Sequence, residues 1–199
     1  MIVYDNFVQD NALWAALKDK KLWQSMPDYN WWDGWWETPP SNALERMIQI
    51  IWKDQHLENK IASFEYLYNI SSVKANLKWH RDCDDKIRVT EKRRVSPIVG
   101  HIYYILVDAL DGGFLEITDS SELRDIEFGD LERIKPVENR LIVFDPSCWH
   151  RVTRVTKGFR LSFSSNVWGK KPRTFDEGNH VTKQFEPVNW EYSEVKATI

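Results

Sequence analysis

The spacing of apolar positions changes near residue 63. Before it, Leu44, Met47, Ile48 and Ile51 recur at the three- and four-residue intervals that place side chains on one face of a helix. Ser41 or Asn42 can cap that helix, which runs to about His56, and Asp10 or Asn11 can cap an earlier one running to about Lys20. The stretch between them, MPDYNWWDGWWETPP, has proline and glycine inside and at its ends and predicts a loop. A loop that aromatic must pack on something.

From residue 63 onwards the apolar runs are short and rich in Val, Ile, Tyr, Phe and Thr: SFEYLYNI, SVKANLKWH, SPIVGHIYYILV, GFLEIT, RLIVFDP, CWHRVTRV and FRLSFSSNVW. They predict seven or eight strands, separated by turn signals such as DGG and DPS. Short strands following a helical segment imply a mainly β (α+β) fold, a double-stranded β-helix or jelly roll with the N-terminal helices packed against the sheet. A chain of 199 residues suits a single domain, divided into helical cover and Trp-rich loop over 1–62, jelly-roll core over 63–170 and C-terminal extension over 171–199.

Composition narrows the classes of function. With 42% hydrophobic and 29% charged residues the chain is globular in type, and a net charge of -3 gives no whole-molecule attraction to phosphate backbones, so nucleic acid is not the expected partner. Two cysteines, Cys83 and Cys148, make no disulfide framework, and a reducing, cytoplasmic setting is expected. No apolar run is long enough to predict a membrane span. Tryptophan is the outlier, with eleven in all and four of them in Trp31-Trp32-Asp33-Gly34-Trp35-Trp36.

The candidate chemistry begins at KWHRD, where His80 and Asp82 stand two residues apart in a predicted strand and so leave the same face. Seventy residues later CWHRV offers His150, after the acidic turn DPS. Two imidazoles and one carboxylate make a facial triad, which leaves positions open on an iron(II) ion for a chelating co-substrate and O2. Taken singly, H-x-D is a common pattern and a histidine at a strand end is usually a hydrogen-bonded polar residue. Arg160, ten residues after His150, shares a strand face with Ser162, and a guanidinium can pair bidentately with a carboxylate.

In that order, H-x-D, a distant H and R-x-S resemble the 2-oxoglutarate and iron(II)-dependent oxygenase superfamily, in particular its prolyl-hydroxylase-like branch. The resemblance runs from about Leu77 to Trp168 through ANLKWHRD, HIYYILVDALDGGFLEIT, RLIVFDPSCWHRVTRV and KGFRLSFSSNVW. It implies a dioxygenase using Fe(II), 2-oxoglutarate and O2. His80, Asp82 and His150 would be the metal ligands and catalytic centre, Arg160 would pair with the distal carboxylate of 2-oxoglutarate, Ser162 would assist, and Tyr104 would donate its hydroxyl to that carboxylate. Strand alternation alone says only that Tyr103 and Tyr104 face opposite ways. Gly112 and Gly113 match a GG pair that turns into a strand.

The implied reaction hydroxylates a peptidyl side chain, prolyl included, or a free amino acid, releasing succinate and CO2; the partners are 2-oxoglutarate and a small-molecule or peptide substrate. Two departures stand out: the long polar stretch CDDKIRVTEKRRVSPIVGHI between Asp82 and Tyr104, and Lys74 where relatives often have glycine. Two other functions compete. One is a catalytically silent jelly-roll module that binds a metal or small acid. The other is a nucleic-acid base demethylase, with Lys86, Arg88, Lys92, Arg93 and Arg94 tracking phosphate and the tryptophans stacking a base. That basic stretch is otherwise expected to be a solvated, flexible loop. The WWDGWW segment either stacks on a substrate or plugs the sheet, Cys83 and Cys148 are expected to be packing residues, and no role attaches to His56, His101 or His180. Asp108, Asp111, Asp119, Asp125 and Asp130 are expected in turns. A zinc hydrolase would leave Arg160 and Ser162 without a task.

Overall fold

The computed structural model describes residues 1–173 apart from 28, 34–38, 56–60, 62 and 121–130. Trp35, Trp36, His56, Asp125, Asp130, His180 and nearly all of the expected C-terminal extension lie outside the described residues.

Capping side chains set the helix starts. Asp10 accepts from the amides of Ala12 (2.8 Å) and Leu13 (3.1 Å) and begins α1 (Asn11–Lys18). The expected single helix to about Lys20 is instead two, because Asp19 takes an extended backbone and its carboxylate caps α2 (Lys20–Ser25) through the Lys21 amide. In α3 (Ala43–Gln55) the cap is reciprocal: Asn42 Oδ1 accepts from Leu44 and Glu45 amides, while Glu45 Oε2 accepts from the Ser41 amide and hydroxyl. Leu44, Met47, Ile48 and Ile51 are all buried, as their spacing requires. No described helix is long and apolar enough to cross a membrane.

Ten described strands form two antiparallel sheets. The larger contains β1 (Ile2–Tyr4), β2 (Asn30–Asp33), β3 (Ser63–Ser71), β5 (Val99–Gly112), β8 (Arg140–Phe144) and β10 (Val155–Trp168), in the order β1-β8-β5-β10-β3-β2. The smaller contains β4 (Leu77–His80), β6 (Leu115–Thr118), β7 (Leu131–Ile134) and β9 (Trp149–Val152), in the order β4-β9-β6-β7. Tyr104, Ile142 and Phe144 of the larger sheet pack against Leu115, Ile117 and Ile134 of the smaller, so the sheets enclose a core between them. On the outer face of the larger sheet, Phe64, Tyr66, Tyr103, Ile105, Leu161 and Phe163 meet Leu17, Leu44, Met47 and Ile48 of the helices. The result is a jelly roll with its three N-terminal helices on one side. His101 is buried beside Ser165, and burial pushes its pKa down to about 4 against a backbone hydrogen bond with that residue.

Several expectations are corrected. Part of the Trp-rich loop is strand β2, whose Trp32 packs on Phe64 beneath the helices; the four residues of β2 are too few to show an alternation. SVKANLKWH contributes only its last four residues to β4, because Lys74 sits at φ 77° in a turn closed by the Ala75 amide and Ser72 carbonyl. Glycine adopts that conformation without strain, whereas a lysine does so only at a cost. The basic stretch contains a helix, α4 (Asp85–Glu91), rather than a continuous loop; its cap is Asp84, and a single buried residue, Ile87, gave no periodicity to detect. CWHRVTRV is divided between β9 and β10. Strands β1 and β7, three and four residues long and mostly exposed, were not expected.

Truncation at the helix–sheet interface has a definite expected outcome. Met47→Ala removes a fully buried side chain and should lower unfolding stability by about 2–5 kcal/mol in a urea titration, whereas exposed Arg46→Ala should cost less than about 1 kcal/mol.

Candidate active site

Strands β4 and β9 pair with His80 directly opposite His150. Each imidazole is oriented in the same way: His80 Nδ1 lies 2.8 Å from the Lys78 carbonyl oxygen and His150 Nδ1 2.9 Å from that of Cys148, in both cases two residues back. A carbonyl only accepts, so Nδ1 carries the proton and the lone pair stays on Nε2. Burial pushes the pKa of His150 down, with His80 adding to the effect and Asp82 opposing it. The ring is also packed against Phe144, at 5.1 Å between centroids.

Asp82 arrives by a different route from the one expected. Strand β4 ends at His80, so no shared strand face places the carboxylate. Asp82 instead lies in the extended segment beyond, where its amide donates to the carbonyl of Pro146 (3.0 Å) in the DPS turn. Its Oδ1 then stands 3.6 Å from His80 Nε2 and 3.7 Å from His150 Nε2. The other oxygen, Oδ2, accepts from Asn166 Nδ2 at 3.1 Å. Among the described residues these three side chains form a group whose donor atoms all lie within 4.8 Å of one another. Two neutral nitrogens and one carboxylate oxygen suit a divalent transition metal with positions to spare.

Arg160, expected to bind a carboxylate, is 3% exposed, and its Nε and Nη1 have no hydrogen-bond partner among the described residues. Its guanidinium carbon lies 5.1 Å from the centre of the Tyr104 ring, and among the described residues no acceptor for the Tyr104 hydroxyl proton lies within hydrogen-bond distance. Burial raises the phenol pKa against the pull of the Arg160 charge, so Tyr104 keeps a proton to donate. Ser162 pairs in register with Tyr104, and its hydroxyl reaches the Asn69 carbonyl at 3.5 Å, the limit of a hydrogen bond. A buried cation beside unsatisfied donors is costly unless an anion completes it, and a carboxylate has the matching geometry. Gly112 and Gly113 turn the chain above this point at φ 78° and 65°; a Cβ on Gly112 would lie 2.1 Å from the Arg154 carbonyl oxygen.

Other candidates fall away. Burial raises the pKa of Cys83 and Cys148, and Cys148 packs against the core between the sheets. In the basic stretch Arg88 pairs with Asp85, and Arg93 with Glu91. Of the tryptophan segment, Trp32 is part of the core, and Trp31 is half-buried with Lys171 5.7 Å above its ring. Sequence reasoning missed Asn166 and Glu65. The signal for Asn166 was its position on β10 at even spacing from Arg160 and Ser162; Glu65 pairs with it across β3.

The 2OG-Fe(II) oxygenase superfamily model matches residues 66–168. No curated protein matches the sequence. Among solved structures, a prolyl-4-hydroxylase from Pseudomonas putida superposes with a TM-score of 0.57 at 17% identity, covering 85% of this chain and 88% of that one. A prolyl hydroxylase from Trichoplax adhaerens, in complex with a hypoxia inducible factor oxygen degradation domain peptide fragment, gives 0.53 at 12% identity, covering 87% and 85%. IDO from Bacillus thuringiensis gives 0.54 at 14% identity, covering 85% and 90%. At such identities the likeness is one of fold.

Glu65 generates a pH prediction. It is buried on β3, accepts a 2.6 Å bond from Trp168 Nε1, and burial raises its pKa to about 8, with Asp82 adding to the rise. A raised carboxyl pKa stabilises the fold fully below the unfolded value, 4.5, and that contribution is lost as pH rises towards 8. Glu65→Gln keeps an acceptor for Trp168 without the titration. Relative to this variant the wild type should lose stability between pH 5 and 8, at about 1.4 kcal/mol per pH unit. Denaturation midpoints that keep a constant difference across the range would show that Glu65 is not a protonated acid in the fold.

Proposed function

The chain belongs to the 2OG-Fe(II) oxygenase superfamily, and we propose that it hydroxylates a peptidyl side chain, prolyl included, or a free amino acid, using His80, Asp82 and His150 to hold the metal and Arg160, Tyr104 and Ser162 to hold 2-oxoglutarate. The family uses iron(II), 2-oxoglutarate and O2, and the protein is a dioxygenase. The observation that carries the residue assignment is the pairing of two incomplete sites in one fold: three converging donors, and a buried guanidinium and phenol whose donors lack an acceptor.

Iron(II) bound to this donor set supplies oxygen activation coupled to the conversion of 2-oxoglutarate to succinate and CO2. The remaining work falls to the chain. The carbonyls of Lys78 and Cys148 hold the Nδ1 protons and direct both Nε2 lone pairs towards Asp82. Asn166 occupies one carboxylate oxygen of Asp82 and leaves the other, which would hold the metal, without that hydrogen bond. Arg160 offers a charge-assisted pair to the distal carboxylate of the co-substrate, with Tyr104 as a third donor. Leu115, Ile117, Ile142 and Phe144 wall this space with apolar surface and exclude water. The peptidyl reading is supported by the two prolyl hydroxylases that share the fold.

The test is an anaerobic titration of purified protein with iron(II) and 2-oxoglutarate, followed by visible charge-transfer absorption. The wild type should develop a band, His150→Ala should lose it, and Arg160→Ala should need at least about tenfold more 2-oxoglutarate to reach it, the equivalent of one charge-assisted contact. Folded wild type without a band would refute the residue assignment and favour a silent jelly-roll module. Succinate release with proline-containing peptides or with free amino acids then separates the substrate classes.

A further inference from the structure

The same tripeptide surrounds both histidines: Trp79-His80-Arg81 runs one residue past the end of β4 and Trp149-His150-Arg151 opens β9. The strands are antiparallel with His80 opposite His150, so continuing that register puts each tryptophan opposite the other strand's arginine. Both resulting stacks are present. The Arg151 guanidinium lies 4.7 Å from the centre of the Trp79 ring, and the Arg81 guanidinium 4.5 Å from that of Trp149. Since side chains alternate along a strand, the stacks lie on the face of the smaller sheet opposite the two imidazoles.

The outer ends of both stacks are fastened. Arg151 Nε donates to Glu116 Oε2 at 2.6 Å, and this carboxylate, 3% exposed, also pairs with Arg133 Nε at 3.0 Å. Arg81 Nη2 donates to the Ser120 carbonyl at 3.1 Å. Backbone pairing, by contrast, holds this junction weakly. Strand β4 is four residues long, its register with β9 shifts between Leu77 and His80, and Asp82 lies past its end. A slip or twist of β4 against β9 would change the distance between the imidazoles directly.

We propose that the twin Trp-His-Arg clasp positions the metal-binding imidazoles. Crossed stacking on the outer face fixes the two rings on the inner face at 4.1 Å between centroids and 56° between planes, where both Nε2 atoms reach Asp82 Oδ1. Trp79, Arg81, Trp149 and Arg151 are positioning residues, acting through His80 and His150. The inference rests on the proposed reading of those histidines as metal ligands.

Exchange of the Arg81–Trp149 pair tests the clasp, because the two-fold arrangement lets a swapped pair re-form. Arg81→Trp, Trp149→Arg and the double swap are titrated with cobalt(II), whose visible absorption reports ligand geometry, and the unfolding of each metal-free protein is measured in parallel. Each single variant should bind cobalt(II) about tenfold more weakly, with an altered band, as loss of a ligand-orienting contact does; the double swap should return affinity and band to wild-type values. If a single variant does not fold, Arg81→Lys and Trp149→Phe are judged by the same readouts. Single variants with wild-type cobalt binding and spectrum but a lower unfolding midpoint, or a double swap that recovers nothing, would reduce the clasp to sheet stabilisation. A wild type that binds no cobalt(II) would overturn the metal-site reading itself, and the positioning role with it.

Discussion

Two-residue alternation along β10 is the constraint on which both the core and the site depend. Leu161, Phe163 and Val167 face the helices, while Arg160, Ser162 and Asn166 take the opposite parity and face the smaller sheet. A one-residue slip would bury the guanidinium under the helices and turn Phe163 towards the other sheet, so packing on the helical side enforces the placement of the polar groups. The pairing with β5 shifts by one residue between Leu161 and Ser162, which brings Ser162 opposite Tyr104 rather than its neighbour. The placement of Ser162 beside Tyr104 therefore depends on a local irregularity as well as on the period.

Three buried ionisable groups solve the cost of burial in different ways. Glu116 is held between Arg133 and Arg151. Glu65 has a hydrogen-bond donor in Trp168 but no cation beside it, and retains its proton instead. Arg160 has neither solution within the described residues, and its orphaned donors are where an incoming carboxylate gains most. An unpaired group of this kind is tolerable where a ligand completes it.

Long apolar runs made β3, β5, β8 and β10 legible in the sequence, and residue type and order singled out His80, Asp82 and His150, which the structure brings together, without any knowledge of distance. What escaped had physical reasons. Strand β2 is too short to alternate visibly, α4 buries only Ile87, and α2 follows from one capping carboxylate. Asp82 was assigned a strand position because its spacing from His80 fits one, yet where a strand stops depends on its partner: pairing with β9 ends at His80, and the Pro146 carbonyl then takes the Asp82 amide. Asn166 and Glu65 carry no motif; only their register across β10 and β3 brings them together. Tyr103 and Tyr104 were equivalent by period, and the helical layer decides between them, with Tyr103 bonded to Asn139 on that side.

Asp84 couples the carboxylate segment to a remote part of the chain. Its amide donates to the Val95 carbonyl, one of its oxygens caps α4, and the other accepts from the Arg173 amide at 2.6 Å. Arg173 in turn grips Glu91 at the far end of α4. The segment from Asp82 to Asp84 is thus a short tether anchored at the DPS turn, at α4 and at the chain following Trp168. In mechanical terms, tension on Arg173 is delivered to Asp84, two residues from the carboxylate that faces both imidazoles, so the chain after β10 has a direct line of force to the site.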